Sequence, residues 1–195
     1  MTEKEILQIF KQEKALLTGH FLLSSGLHSP HYMQCALVLQ KPRIAEKLCA
    51  VLSKKIPKIK FDAVIGPALG GVIVSYEMGR ALKVCSIFAE RENGRFTLRR
   101  GFGLKRNEKV LVVEDVVTTG KSTHEVIEVV EHCGAKVAAV ASLVDRSGGA
   151  AIFHQEFYTL LKMDIKTYRP ESCPLCREHK VPLKKPGSRT SVREI

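Results

Sequence analysis

The sequence predicts an α/β fold, a five-stranded, mostly parallel sheet flanked by helices. Three observations predict it. Across residues 61–161, apolar β-branched runs alternate with amphipathic stretches, the pattern of successive strand–helix–strand units in one sheet. Residues 110–113 form an unbroken apolar run bounded by charge, which reads as a strand buried on both faces. Two turns rich in glycine and hydroxyl groups, residues 66–71 and 118–123, each lead from a strand into a helix, at the sheet edge where open α/β folds bind ligands.

Taken in order, Thr2 with Glu5 forms a capping-box pattern, and the stripe Ile6, Ile9, Phe10, Leu17 predicts a helix over 3–17. Residues 21–23 and 32–39 read as two strands joined by a turn over 24–31. This hairpin stands apart from the downstream alternation and could cover the mouth of a site or cap an edge. Pro42 suits a first helical position, and Ile44, Leu48, Val51 and Leu52 continue that helix on one face. A strand at 61–65 enters the glycine-rich turn and a helix to Leu82, followed by a strand at 84–89. Residues 90–103 make a long basic connection with glycines at 94, 101 and 103. It reads either as a lid with hinges or as a hairpin with a solvated face. After the strand at 110–113 come Glu114 and Asp115, expected just beyond its carboxyl end. Ser122 with Glu125 gives a second capping-box pattern, opening a helix that Gly134 stops. Strands at 137–144 and 157–163 complete the sheet. Residues 169–195 lose periodicity and read as an extended basic tail. The organisation is therefore residues 1–40, a helix and hairpin; 41–168, the core; and 169–195, the tail.

Size and composition narrow the function. A chain of 195 residues with 45% hydrophobic and 26% charged residues fits one domain with a sizeable core. No apolar run reaches membrane-spanning length, and the N-terminus mixes acids with bases unlike a secretory signal, so a cytoplasmic protein is expected. The net charge of +11 fits either nucleic acid or a small polyanion; with only 6% aromatics and scattered basic residues, a polyanionic substrate is favoured and no nucleic acid is expected. Cys35, Cys49, Cys85 and Cys133 read as core thiols. Cys173-Pro174-Leu175-Cys176 is half of a zinc pattern, with His179 as a third candidate ligand. A plain structural thiol pair is favoured over either a zinc site or a redox pair, although a homodimer could bring two such pairs together.

The chemistry centres on residues 114–123. A helix start exposes backbone amides and a partial positive charge, hydroxyls add donors, and Gly120 permits close approach, which together suit a phosphate. Carboxylates just before such a cradle suit sugar hydroxyls or a magnesium ion on a polyphosphate. A Walker loop is excluded because Asp115 stands where its first glycine belongs, and a dinucleotide fingerprint is excluded because Arg106 follows Gly101 and Gly103 where the last glycine belongs. The combined reading is a phosphorylated sugar gripped at both ends. Arg146, at another strand's carboxyl end, can fork onto a planar carboxylate or form a structural ion pair.

The segment KVLVVEDVVTTGKST, residues 109–123, resembles the phosphoribosyl pyrophosphate (PRPP) signature of the type I phosphoribosyltransferases. That resemblance implies their fold, with an N-terminal hood over the site. It also implies Glu114 and Asp115 as catalytic acids on the ribose hydroxyls, and Val116, Val117, Thr118, Thr119, Gly120, Lys121, Ser122 and Thr123 around the 5′-phosphate. Ala68, Leu69, Gly70 and Gly71 would form the pyrophosphate loop, with Gly70 where many members carry lysine. Arg91 and Arg95 match basic residues of a mobile loop that closes over the neighbouring subunit's site. This implies catalytic and PRPP-binding roles for both, and a homodimer in which residues 91–103 reach across; Arg99 and Arg100 could compensate for basic residues absent from this loop. The hood, residues 21–33, resembles that of the orotate phosphoribosyltransferases, though Ser24 stands at their usual basic position. Residues 144–150 (VDRSGGA) match a second segment of that branch. By this likeness Tyr32, Met33, Thr118 and Arg146 would contact orotate. The implied reaction joins PRPP and orotate into orotidine 5′-monophosphate and pyrophosphate, with Mg2+ carried by PRPP. A transferase for another base and a PRPP-sensing regulator that binds nucleic acid are the alternatives.

Overall fold

The computed structural model describes residues 1–23 and 25–186; Ser24 and the last part of the expected tail lie outside the described residues. Helix α1 (Glu3–Gln12) opens with the expected capping box, in which Thr2 and Glu5 satisfy each other. It stops earlier than the stripe suggested. Lys14 takes a left-handed turn, the Ala15 amide closes back onto the Phe10 carbonyl, and Leu17 lies in strand β1 (Leu16–Leu22).

β1 pairs antiparallel with β2 (His28–Met33), confirming a hairpin. The second strand is shorter than expected, because residues after Met33 turn into the one-turn helix α2 (Ala36–Leu39) and bury Val38 and Leu39 instead of continuing the ladder. Helix α3 (Pro42–Lys55) has proline at its start as expected.

The core sheet follows as β3 (Ala63–Pro67), β4 (Cys85–Glu92), β5 (Arg95–Thr97), β6 (Lys109–Val117), β7 (Lys136–Asp145) and β8 (Phe157–Lys162), in spatial order β5-β4-β3-β6-β7-β8. The five expected strands are there and pair in parallel. A sixth, β5, adds an antiparallel edge, because Asn93 and Gly94 both take positive φ and fold the chain back on β4. The connection over residues 90–103 therefore begins as a hairpin.

Helices α4 (Gly70–Leu82) and α5 (Lys121–His132) connect the central strands. Strand β6 shows why both sheet faces are covered. Leu111 and Val113 join α3 and α4 in one core, while Val110 and Val112 pack with Val126, Ile127 and Val130 of α5 in the other. All four β6 side chains are fully buried, each contributing about 1.5–3 kcal/mol.

The C-terminal segment is docked against the molecule. His28 and Tyr168 exchange two backbone hydrogen bonds of 2.8 Å, and the Ser29 hydroxyl donates to the Lys166 carbonyl. After α6 (Pro174–Glu178), β9 (Leu183–Lys184) lies parallel beside β1, giving the small sheet order β2-β1-β9.

Candidate active site

Three strands end at one edge of the large sheet. β3 leads into residues 68–71, β6 into 118–123 and β7 into Arg146. Glu114 and Asp115 lie within β6 rather than beyond it, so their backbone is held by the ladder, and Glu114 pairs in register with Ser142. Two clefts meet at Glu114. One, of about 310 Å³, is lined by Glu114, residues 116–123, Arg91 and Ser25. The other, of about 550 Å³, is lined by Tyr32, Gln34, Ala36, residues 67–70, Glu114, Asp115, Val116 and Ser122. Glu114, Val116 and Ser122 face both.

The first cleft ends on the start of α5. Gly120, at φ +75°, occupies the N-cap position, and no side chain caps the helix. The expected Ser122–Glu125 capping box does not form. The Glu125 carboxylate instead receives Arg91 Nη2 at 2.5 Å and lies 4.0 Å from Lys121 Nζ. Of the first-turn amides only that of Lys121 has a side-chain acceptor among the described residues, the Thr119 hydroxyl at 3.4 Å, and the others stand open at the cleft, a geometry suited to an anion.

Glu114 is buried, and burial pushes its carboxyl well above the usual 4.5, with the Asp115 charge adding to the effect. The Asp115 amide donates to Glu114 Oε1 at 3.2 Å, and the Val116 amide donates to Asp115 Oδ1 at 2.9 Å. Such a pair favours a cationic or multiply hydroxylated ligand, which restores ionisation or donates hydrogen bonds to the carboxylate oxygens. The opposite wall comes as near as a chain can. A Cβ on Gly70 would stand 2.5 Å from Asp115 Oδ2, so any side chain at this position requires the Asp115 carboxylate to shift. The Ala68–Leu69 peptide preceding it is cis.

Tyr32 lines the second cleft, and Arg146, which lines neither cleft, lies near enough for its charge to act on Tyr32. Burial raises the Tyr32 phenol, while Arg146 lowers it and Asp115 raises it. Arg146 is held by its own amide, which donates to the Val117 carbonyl at 2.8 Å. Its Nε is buried without a hydrogen-bond partner among the described residues, and burial pushes its guanidinium below the usual range.

Most sequence-predicted residues therefore line the clefts, and four, Arg146 among them, do not. Met33 is buried in the core, because successive strand residues face opposite sides and Tyr32 takes the cleft side. Arg95 is exposed on β5 and lines neither cleft. Gly71 sits behind the pyrophosphate-loop position, its missing Cβ replaced by Pro67 Cδ at 2.7 Å. Arg91 lines the first cleft but is already occupied, bonded to the Gly94 carbonyl and Glu125 and stacked 4.1 Å over Phe96. Ser25 and Gln34 were not singled out; the Ser24-Ser25-Gly26 turn was the one available signal for the first, and none marked the second.

Known proteins resemble this chain in sequence and fold. The family model of the phosphoribosyl transferase domain matches residues 37–167. A curated orotate phosphoribosyltransferase of Carboxydothermus hydrogenoformans is 58% identical over 187 residues, covering 95% of this chain and 97% of its own. One from Thermotoga maritima is 51% identical, covering 94% and 98%. Among solved structures, the orotate phosphoribosyltransferase of Aeropyrum pernix superimposes with a TM-score of 0.67 at 26% identity, over 81% of this chain and 93% of that one. Adenine phosphoribosyltransferase of Thermoanaerobacter pseudethanolicus, at 16% identity and a TM-score of 0.59, shares the fold. Identity this high along nearly the full length of both partners decides the matter: the chain belongs to the orotate phosphoribosyltransferase family.

Proposed function

We propose that the chain transfers the phosphoribosyl group of PRPP to orotate, releasing pyrophosphate and forming orotidine 5′-monophosphate for pyrimidine biosynthesis. The observation that supports this most is the double cleft meeting at Glu114, with Asp115 on the wall of the second. A 5′-phosphate fits the open amides of α5, the ribose hydroxyls fit the acid pair, and the pyrophosphate fits the loop at residues 68–70. The base then lies between Tyr32 and Arg146, where the unpartnered Arg146 Nε can donate to the orotate carboxylate. Thr118 reaches this ring from the phosphate side.

During reaction the C1′ bond to pyrophosphate breaks and a bond to a ring nitrogen of orotate forms. Positioning and charge dominate such a step. Glu114 and Asp115 favour the positive charge that develops on the ribose ring. The carboxylate oxygens of Asp115 are hard donors that would hold Mg2+ arriving with PRPP, and the ion would supply positive charge against the departing pyrophosphate. Arg91 and Arg95 serve the same leaving group, and Arg91 must first exchange Glu125 for it.

The same proposal includes a homodimer. Leu69, Ile73 and Tyr76 form an apolar stripe along one side of α4, exposed at 78%, 41% and 65%, which suits burial against a second copy. Residues 91–103 of one copy then act at the site of the other. All six cysteines are free of disulfides, which fits a cytoplasmic location. No helix among the described residues is long and apolar enough to cross a membrane.

The test is PRPP- and Mg2+-dependent loss of orotate absorbance. The wild-type chain is expected to turn over orotate, whereas Arg146→Ala raises the KM for orotate about 10- to 100-fold, the worth of a charged hydrogen bond. The KM for PRPP is expected to stay nearly unchanged. Equal losses for both substrates count against Arg146 as the base contact, and absence of orotate turnover in the wild type overturns the assignment.

A further inference from the structure

The cysteine pair does not wait for a second chain. His20 of β1 and His28 of β2 stand beside Cys173 and Cys176 of the C-terminal segment, and the four candidate ligand atoms lie within 4.8 Å of one another. His20, His28 and Cys173 are buried, and Cys176 is partly so. The measured separations are 2.9 Å from His20 Nε2 to His28 Nδ1, 3.6 Å and 3.7 Å from His20 Nε2 to the two sulfurs, and 3.2 Å from His28 Nδ1 to Cys176 Sγ. A tetrahedral zinc ion with Zn–S of about 2.3 Å and Zn–N of about 2.0–2.1 Å sets edges of about 3.3 Å between nitrogens and about 3.6 Å between nitrogen and sulfur. The nitrogen–sulfur separations of 3.2 Å, 3.6 Å and 3.7 Å bracket the second length, and the nitrogen pair, at 2.9 Å, is drawn somewhat closer than the first.

We propose that His20, His28, Cys173 and Cys176 hold one structural zinc ion that clasps the C-terminal segment onto the hairpin beside the active cleft. Two thiolates and two imidazoles form a donor set that suits zinc, and four protein ligands leave no open position for chemistry. Two thiolates also neutralise the ion's charge, which suits a buried place. His20 is already aimed. Its Nδ1 lies 3.3 Å from the Val181 carbonyl, so donation there leaves Nε2 unprotonated toward the ion, the usual support for a ligating imidazole. The sequence suggested His179 as the third ligand, but it is exposed beyond α6 and lies outside the cluster.

The site has structural work to do. Neither the 3₁₀ turn at Pro170–Ser172 nor α6 contains a buried residue of its own, and Leu183 of β9 is 45% exposed. Small segments with so little core are commonly held by a metal. Because Tyr32 lies on β2 four residues after His28, the ion also steadies one wall of the second cleft. The zinc assignment is independent of the substrate assignment.

Tag-free protein purified without chelator tests it by elemental analysis and thiol titration. About one zinc per chain is expected, falling below about a tenth in the Cys173→Ser, Cys176→Ser double variant, while His179→Ala retains it. Because the double variant can fail to fold, wild-type protein stripped with chelator provides the second measurement. Re-adding Zn2+ should restore its thermal midpoint, and Co2+ should give tetrahedral d–d bands with thiolate charge transfer. Protein that takes up neither ion, whether with both thiols titratable or joined as a disulfide, overturns the proposal, as does zinc retained at full occupancy by a folded double variant.

Discussion

At the scale of single residues, the acid pair sets the pH behaviour. Glu114 is buried and its carboxyl is raised above 4.5, so the folded chain keeps a proton that the unfolded chain has lost. This contribution favours folding at low pH, declines as pH rises from 4.5 through the raised native value, and remains a cost above it. Glu114→Gln removes that cost. Its thermal midpoint is expected to exceed the wild type's by about 2–4 °C per kcal/mol relieved at about pH 8, and to match it below the unfolded value. Turnover should nonetheless fall about 100-fold, as expected for lost charge stabilisation at a reacting centre. Thermal scans at the two pH values with parallel rate assays check both. Residue chemistry was largely legible in the sequence: acids before hydroxyls, and an arginine at a strand end. Met33 was misread because the hood resemblance took neighbouring residues together, although strand alternation already separates Tyr32 from Met33.

At the scale of elements, Gly70 joins α4 to β6 through empty space. Gly70→Ala forces a methyl against the Asp115 carboxylate, which must move. Overpacking of this kind costs about 1–3 kcal/mol, and a misplaced Asp115 should lower kcat/KM for PRPP by at least about 10-fold while the protein stays folded. Kinetics alongside circular dichroism measure the two effects separately. Elements whose apolar pattern is long were readable. Residues 110–113 and the stripe of α3 appear where expected because nothing competes with their burial. Shorter elements were decided by contacts distant in sequence. Residues 36–39 look strand-like yet form one helical turn, and the Ser122–Glu125 cap fails because Arg91, thirty-four positions before Glu125, takes its carboxylate.

At the scale of the whole molecule, the parallel sheet was predictable and the joining of the two ends was not. His20 and His28 carry no signal near Cys173, since 153 positions separate the first of them from it; only folding makes them neighbours. The exposed stripe on α4 makes a further prediction. Replacing Ile73 and Tyr76 together with aspartate should turn a dimer into a monomer, since two charges per copy would face each other without solvent. Light scattering coupled to size exclusion reads the mass directly. A dimer unaffected by the change places the interface elsewhere.

The pairing of β9 with β1 has one last consequence. Shortening the protein ahead of Tyr168 would do more than trim a ragged terminus. It would strip one flank of β1 of its hydrogen-bonding neighbour and leave a bare ribbon edge, the kind of surface on which stray chains stack into aggregates.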